Sequence, residues 1–199
     1  YKYLYNLIPY TIDNVRIRYY GANSATGFAT GLDMRINGEF VPGIESWGSL
    51  SFLKTMENIN HKGYTPRPTD QLVTSTIFFQ DYIPKFPSYK VNLTLVFGSK
   101  LPFAAPGTFM YSDAQRMPFY RRVDIGFSKQ LLKENSTRPA HMDFLKYIKN
   151  MWVSLEIFNL LQVNNTVSYL WVKDISNQQF AIPNYLTTRQ LNLRLIVKF

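Results

Sequence analysis

Two histidines, His61 and His141, are the side chains best suited to proton transfer near neutral pH or to a metal, yet neither has the neighbours such work needs. Both fall in Pro-, Gly- and Asn-rich stretches, NHKGYTPRPTD (60–70) and ENSTRPAH (134–141), without a carboxylate spacing that suggests a metal site. Solvated loop histidines are the expectation. Cysteine is absent, which excludes a disulfide framework and a thiolate metal centre. Serine and aspartate are plentiful, but no G-x-S-x-G occurs, and GANSATG (21–27) lacks the lysine of a phosphate loop and reads as a turn. Catalysis and a bound cofactor are therefore not expected.

The remaining candidates are charges. The formal net charge is +9 and the pI about 9.6, a balance that suits nucleic acid, anionic lipid or acidic ligands. The cations are scattered, however, and the tightest groups are pairs such as Arg16/Arg18, Arg121/Arg122 and Lys146/Lys149, with no arginine-rich stripe. Nucleic acid is not the expected partner. Where these charges matter is in how they alternate with apolar residues.

In TGFATGLDMRINGEF, Phe28, Thr30, Leu32, Met34, Ile36 and Phe40 share one parity, and Ala29, Gly31, Asp33, Arg35, Asn37 and Glu39 the other. In YKVNLTLVFG, Tyr89, Val91, Leu93, Leu95 and Phe97 oppose Lys90, Asn92 and Thr94; in YRRVDIGFSKQL, Val123, Ile125 and Phe127 oppose Arg122, Asp124 and Ser128. The terminal RQLNLRLIVKF repeats the pattern, with Leu191, Leu193, Leu195, Val197 and Phe199 against Asn192, Arg194 and Lys198. A period of two is the signature of strands with one oily face. Less regular strands are expected near 11–22, 46–57, 71–83, 151–161 and 166–173, giving roughly nine. Turn-rich pieces separate them, and HMDFLKYIKN (141–150) is the only helical candidate, read as a loop segment or strand lead-in. The expected fold is all-β and antiparallel, as one unit over 1–199.

Globular strands cluster near 5–6 residues, whereas most of these run to about 10, the length that crosses a bilayer when tilted. No apolar run is long enough for a membrane-spanning helix. The alternation fits a soluble β-sandwich binding module, whose apolar faces meet each other, or a membrane barrel, whose apolar face meets lipid and whose polar face lines a lumen. Strand length, small residues at Gly27, Ala29 and Gly31, and rings near strand ends (Trp47, Tyr82, Tyr89, Tyr120, Trp152 and Tyr185) as interfacial girdles favour the transmembrane barrel. Arg16, Arg18, Asp33, Arg35, Glu39, Arg122, Asp124, Glu156, Arg194 and Lys198 would then face the lumen, since a charge facing lipid costs about 2–4 kcal/mol at the midplane. Arg121 and Lys129 take the lipid parity, which is tolerable at the interface, where long basic side chains snorkel.

The segments TGLDMRINGEF, WGSLSFLKTMEN, TDQ (69–71), QDYIP (80–84), FGSKLPF (97–103), PFYRRVDIGFS (118–128), WVSLEIFNLL (152–161), SYLWV and PNYLTTRQLNLRLIVKF occur in that order. Together they resemble the C-terminal β-barrel portion of TonB-dependent outer-membrane receptors, in the branch with a carboxypeptidase-regulatory-like N-terminal extension. The resemblance implies about nine C-terminal strands of a larger, 22-stranded barrel. It also implies nutrient import across the outer membrane of a Gram-negative bacterium, driven from the inner membrane. The implied partners are outer-membrane lipid and lipopolysaccharide, the receptor's own plug domain and remaining strands, a periplasmic TonB-type coupling protein acting through that plug, and a surface lipoprotein. Leu191, Leu193, Leu195, Val197 and Phe199 then resemble the terminal signal read by the barrel-assembly machinery. A small stand-alone outer-membrane barrel, adhesive or structural, is the alternative beside the sandwich. Counting back from a periplasmic C-terminus, the expectation is 162–165, 58–70 and 100–118 periplasmic, and 174–186, 132–147 and 84–88 extracellular.

Overall fold

Long alternating segments form long strands here because β-branched and aromatic side chains sit well on a pleated surface. The computed structural model describes residues 2–3, 8–11, 17–20, 25–83, 85–103, 115–133, 147–186 and 188–199, with side chains described from Ala25 onward apart from Phe40 and Val41. The strands are β1 (Lys2–Tyr3), β2 (Ile8–Thr11), β3 (Ile17–Tyr20), β4 (Ala25–Val41), β5 (Ile44–Ile59), β6 (Tyr64–Pro66), β7 (Val73–Ile83) and β8 (Phe86–Gly98). They continue as β9 (Pro102–Phe103), β10 (Gln115–Arg116), β11 (Tyr120–Leu132), β12 (Asn150–Phe158), β13 (Thr166–Lys173), β14 (Gln179–Tyr185) and β15 (Gln190–Lys198). Every pairing is antiparallel. The fold is all-β, and no α-helix occurs among the described residues.

One open sheet of nine strands dominates, in the order β1-β4-β5-β7-β8-β11-β12-β15, with β6 added to the outer part of β5. Among the described residues it does not close on itself. Three two-stranded sheets stand apart from it: β2-β3, β9-β10 and β13-β14. Two expectations are corrected here. Residues 11–22 do not make one wall strand, because Thr11 ends β2 and Ile17–Tyr20 pairs back onto it. Nor is 166–173 part of the main sheet, because its partner is β14 and β12 pairs directly with β15, from Asn150↔Lys198 to Phe158↔Gln190.

That pairing also reverses which connections share an end. The turn at 42–43, the β7 and β8 ends at Ile83 and Phe86, and the β11 and β12 ends at Leu132 and Asn150 lie at the end of the sheet where Lys198 finishes. The connections 60–72, 99–119 and 159–189 all leave from the opposite end. The strand ends that flank 58–70 and 100–118 are therefore on the far side from the C-terminus, and those that flank 84–88 and 132–147 on its own side, contrary to the count from the sequence. Removing one strand from that count is the whole difference. Of the helical candidate, residues 141–146 lie outside the described residues and Asn150 already opens β12.

The short turns have local causes. Gly43 takes φ +81°, a region that L side chains avoid, and its N–H donates to Glu39 Oε2 at 3.0 Å. Gly27 serves close approach instead, since a Cβ there would sit 2.5 Å from the Met56 carbonyl oxygen across the β4–β5 pair.

Burial falls mainly on polar side chains. Among the described residues, Ala25, Ile44, Ile59 and Ile148 are the buried hydrophobic ones, while Ser46, Thr55, Glu57, Thr65, Arg67, Asp70, Ser99, Asp124, Ser154, Asn159, Asn165 and Ser168 are buried polar ones.

Candidate functional site: the polar face and its loop end

Register decides which side chains are neighbours, because a one-residue slip would exchange the faces. The ladder links Asp33↔Ser51, Ser51↔Thr74, Thr74↔Gly98 and Gly98↔Tyr120, and, lower down, Asn92↔Gly126, Gly126↔Glu156 and Glu156↔Asn192. Asp33, Arg35, Glu39, Arg122, Asp124, Glu156, Arg194 and Lys198 therefore share one face, as the alternation predicts. Arg16 lies outside the described residues. Arg18 is in β3, away from the main sheet.

The opposite face carries Leu32, Met34, Ile36, Leu50, Phe52, Ile77, Phe79, Leu93, Leu95, Phe97, Val123, Ile125, Phe127, Leu155, Leu191, Leu193 and Leu195. Much of it is uncovered: Ile36 is 78% exposed, Leu193 73% and Leu191 72%. Val197 continues this face and Phe199 is 76% exposed at the chain end.

On the polar face the charges are mostly paired side to side. Arg194 Nη2 donates to Glu156 Oε1 at 2.7 Å and Asn192 Nδ2 to Glu156 Oε2 at 2.8 Å. Arg122 meets Asp124 at 3.0 Å, and the other oxygen of Asp124 accepts the Asn159 N–H at 2.9 Å. Ser128 and Ser154 share a hydrogen bond of 2.8 Å, and Gln130 donates to Asn150 at 3.0 Å. Arg35 donates to Asn37 and lies over the Trp47 ring at 4.9 Å. Lys90 sits between Tyr82 and Trp152, 4.9 Å and 4.7 Å from the two ring centres. These rings correct another expectation. Trp47, Tyr82, Tyr120 and Trp152 lie on the polar face and Tyr185 lies in the β13–β14 hairpin, so only Tyr89 of the six proposed girdle residues stands on the apolar face of the sheet.

A second cluster, at the end remote from the C-terminus, escaped sequence reasoning. Where β6 gives way to β7, the turn through Arg67 and Asp70 leaves Thr55 N–H without a ladder carbonyl, and Asp70 Oδ1 accepts it at 2.7 Å. Asp70 is 1% exposed, and its second oxygen pairs with Arg116, which also donates to the Asp70 and Lys100 carbonyls. Glu57, 2% exposed, has Arg67 at 3.7 Å and no hydrogen bond to either carboxylate oxygen. Asn165 plays the part of a strand for Arg121, accepting its N–H at 2.9 Å and donating to its carbonyl at 3.0 Å. Arg189 closes the 159–189 excursion with two bonds to the Leu160 carbonyl. The only sequence signal for this cluster is local, a carboxylate or amide in a Pro- or Asn-rich turn, where such side chains substitute for backbone partners.

No group of three or more His, Cys, Asp or Glu residues suited to a metal occurs among the described residues, and His61 is an exposed turn residue. The arrangement offers hydrogen bonds and fixed charges along one face of the sheet. No protein-family model matches the chain, and no curated protein or solved structure matches it either.

Proposed function

We propose that these residues form part of the wall of an outer-membrane β-barrel, of the kind found in TonB-dependent receptors. Lipid would lie against the Leu32–Leu193 face and an aqueous lumen against the Arg35–Arg194 face. One observation carries this reading: along seven neighbouring strands, β4 to β15, Leu32, Ile36, Phe52, Ile77, Phe97, Phe127, Leu155, Leu191 and Leu193 stand exposed on one face while Asp33, Arg35, Arg122, Asp124, Glu156 and Arg194 stay together on the other. Water does not tolerate an apolar patch of that extent on a monomer, and hydrocarbon does. The ordered sequence motifs supply the more specific part, a receptor importing a nutrient while its plug moves inside a static wall. Such a chain works by binding and passage, with no catalytic step and no cofactor. Its partners would be lipid and lipopolysaccharide outside, the plug and remaining strands inside and alongside, a TonB-type coupling protein, and a surface lipoprotein at the loop end.

Because the chain contains no cysteine, single substitutions give clean labelling sites. Fluorophores at Leu93→Cys, Ile125→Cys and Leu193→Cys in the membrane-inserted polypeptide are expected to be quenched by brominated lipid, and those at Asn92→Cys, Asp124→Cys and Arg194→Cys by aqueous iodide. Labels at 93, 125 and 193 shielded from lipid on a freely soluble particle would overturn the proposal in favour of a sandwich. The receptor assignment fails separately if the inserted protein shows no energy-dependent uptake of any ligand.

A further inference from the structure

We infer that the apolar face carries, at the end remote from the C-terminus, a docking site for the phosphate headgroup and one acyl chain of a membrane lipid. A cleft of about 260 Å³ opens there between β7, β8 and β11, bounded by Ile77, Leu95, Phe97, Val123, Leu161 and Arg121. Its floor is aliphatic and aromatic. Leu161, 62% exposed, is held beside it because the Leu160 N–H donates to the Val123 carbonyl at 2.7 Å.

Arg121 lines the cleft, and a second cation, Lys100, lies beyond its aromatic edge. Arg121 is the direct cross-strand neighbour of Phe97, Phe97 stacks on Phe119 at 5.7 Å, and Lys100 Nζ lies 5.0 Å from the centre of the Phe119 ring. Arg121 and Lys100 therefore flank one pair of rings. Among the described residues, neither has a carboxylate within ion-pair distance, in contrast to Arg67, Arg116, Arg122 and Arg194. The root of Arg121 is fixed, since Asn165 holds both of its backbone groups, and its side chain is exposed.

A guanidinium with an unused fork of donors is matched by a phosphate, which takes two parallel hydrogen bonds from it. A lysine beside it adds a second positive charge without demanding geometry. Charge and shape thus select the same occupant, an amphiphile whose anionic phosphate meets Arg121 and Lys100 while a chain lies along Ile77, Leu95 and Val123. This inference rests on the reading of the apolar face as lipid-facing.

The test uses the inserted protein in nanodiscs of phosphatidylcholine with or without phosphatidic acid. Native mass spectrometry reads the retained lipid, and a fluorophore at Ile125→Cys with brominated lipid reads insertion. The wild type is expected to retain phosphatidic acid in preference to phosphatidylcholine. Arg121→Gln and Lys100→Gln should each weaken that preference about fivefold, the size of one interfacial charge, and the double variant should abolish it. Lys173→Gln, at the far tip of the β13–β14 hairpin, should leave it unchanged. Normal quenching at 125 with equal retention of the two lipids, or an unaltered double variant, overturns the headgroup site alone. Absence of quenching at 125 overturns the lipid-facing reading and the site with it.

Discussion

Arg121 and Lys129 stand eight residues apart on the same face of β11, with Val123, Ile125 and Phe127 between them. At about 3.4 Å per residue they are about 27 Å apart along the strand, and a strand tilted by about 40° brings that to about 21 Å along a membrane normal, near the apolar band of about 25 Å in outer-membrane barrels. Each cation has an aromatic companion at its own end: Lys129 Nζ lies 5.2 Å from the Tyr89 ring, and Arg121 is paired with Phe97. On the apolar side of β11 these two basic residues thus bracket a purely apolar stretch.

A charge placed inside that stretch should be costly where one at its borders is not. Ile125→Arg is expected to lose about 2–4 kcal/mol of folding stability in lipid. Lys129→Ile should change it by less than about 1 kcal/mol. Urea unfolding from vesicles, followed by tryptophan fluorescence, measures both; equal effects would show that the stretch does not lie in hydrocarbon.

Asp70 replaces a ladder carbonyl for Thr55 and also holds Arg116. Asp70→Ala should cost about 1–3 kcal/mol through the orphaned Thr55 N–H. Asp70→Asn, which keeps an acceptor, should cost less. Hydrogen exchange at the Thr55 amide is the readout, with protection lost in the alanine variant and retained in part in the asparagine one.

The Glu156–Arg194 pair is geometrically good at 2.7 Å, but the arginine side chain is half exposed. A double-mutant cycle with Glu156→Gln and Arg194→Gln should therefore give a coupling of only about 0.2–1 kcal/mol. A much larger value, measured by the same unfolding assay, would mean that water does not reach this face.

Two glycines of β4 separate steric need from strand propensity. Gly27→Ala forces its new methyl against the Met56 carbonyl and should destabilise by about 1–3 kcal/mol, whereas at Gly38 nothing lies within 4 Å and alanine should be neutral to within about 0.5 kcal/mol. The shift in unfolding midpoint compares them directly.

Alternation makes the two faces legible in the amino-acid order itself, since parity alone places Asp33 with Arg35, and Asp124 with Arg122, once the strands pair in register. Partner choice is not legible there. Residues 166–173 form a strand as expected, but nothing local says that β13 will fold onto β14 and let β12 meet β15. A single misplaced strand then inverts the assigned ends of several loops. The girdle fails for a related reason: being near a strand end says nothing about parity, and Trp47, Tyr82 and Trp152 have the parity of the charges beside them. The Asp70–Arg116 link joins positions 46 residues apart, and no periodicity encodes it.

Because Phe158 and Gln190 are already partners across the ladder, the thirty-one residues between them, 159 to 189, begin and end at one rung. Asn159, Leu160 and Asn165 tie this excursion to β11, but its length does not set the β12–β15 register. Lengthening, shortening or replacing that excursion leaves every downstream pairing from Leu191 to Lys198 where it was, so this is the place where the molecule is free to diversify what it meets without renegotiating its architecture.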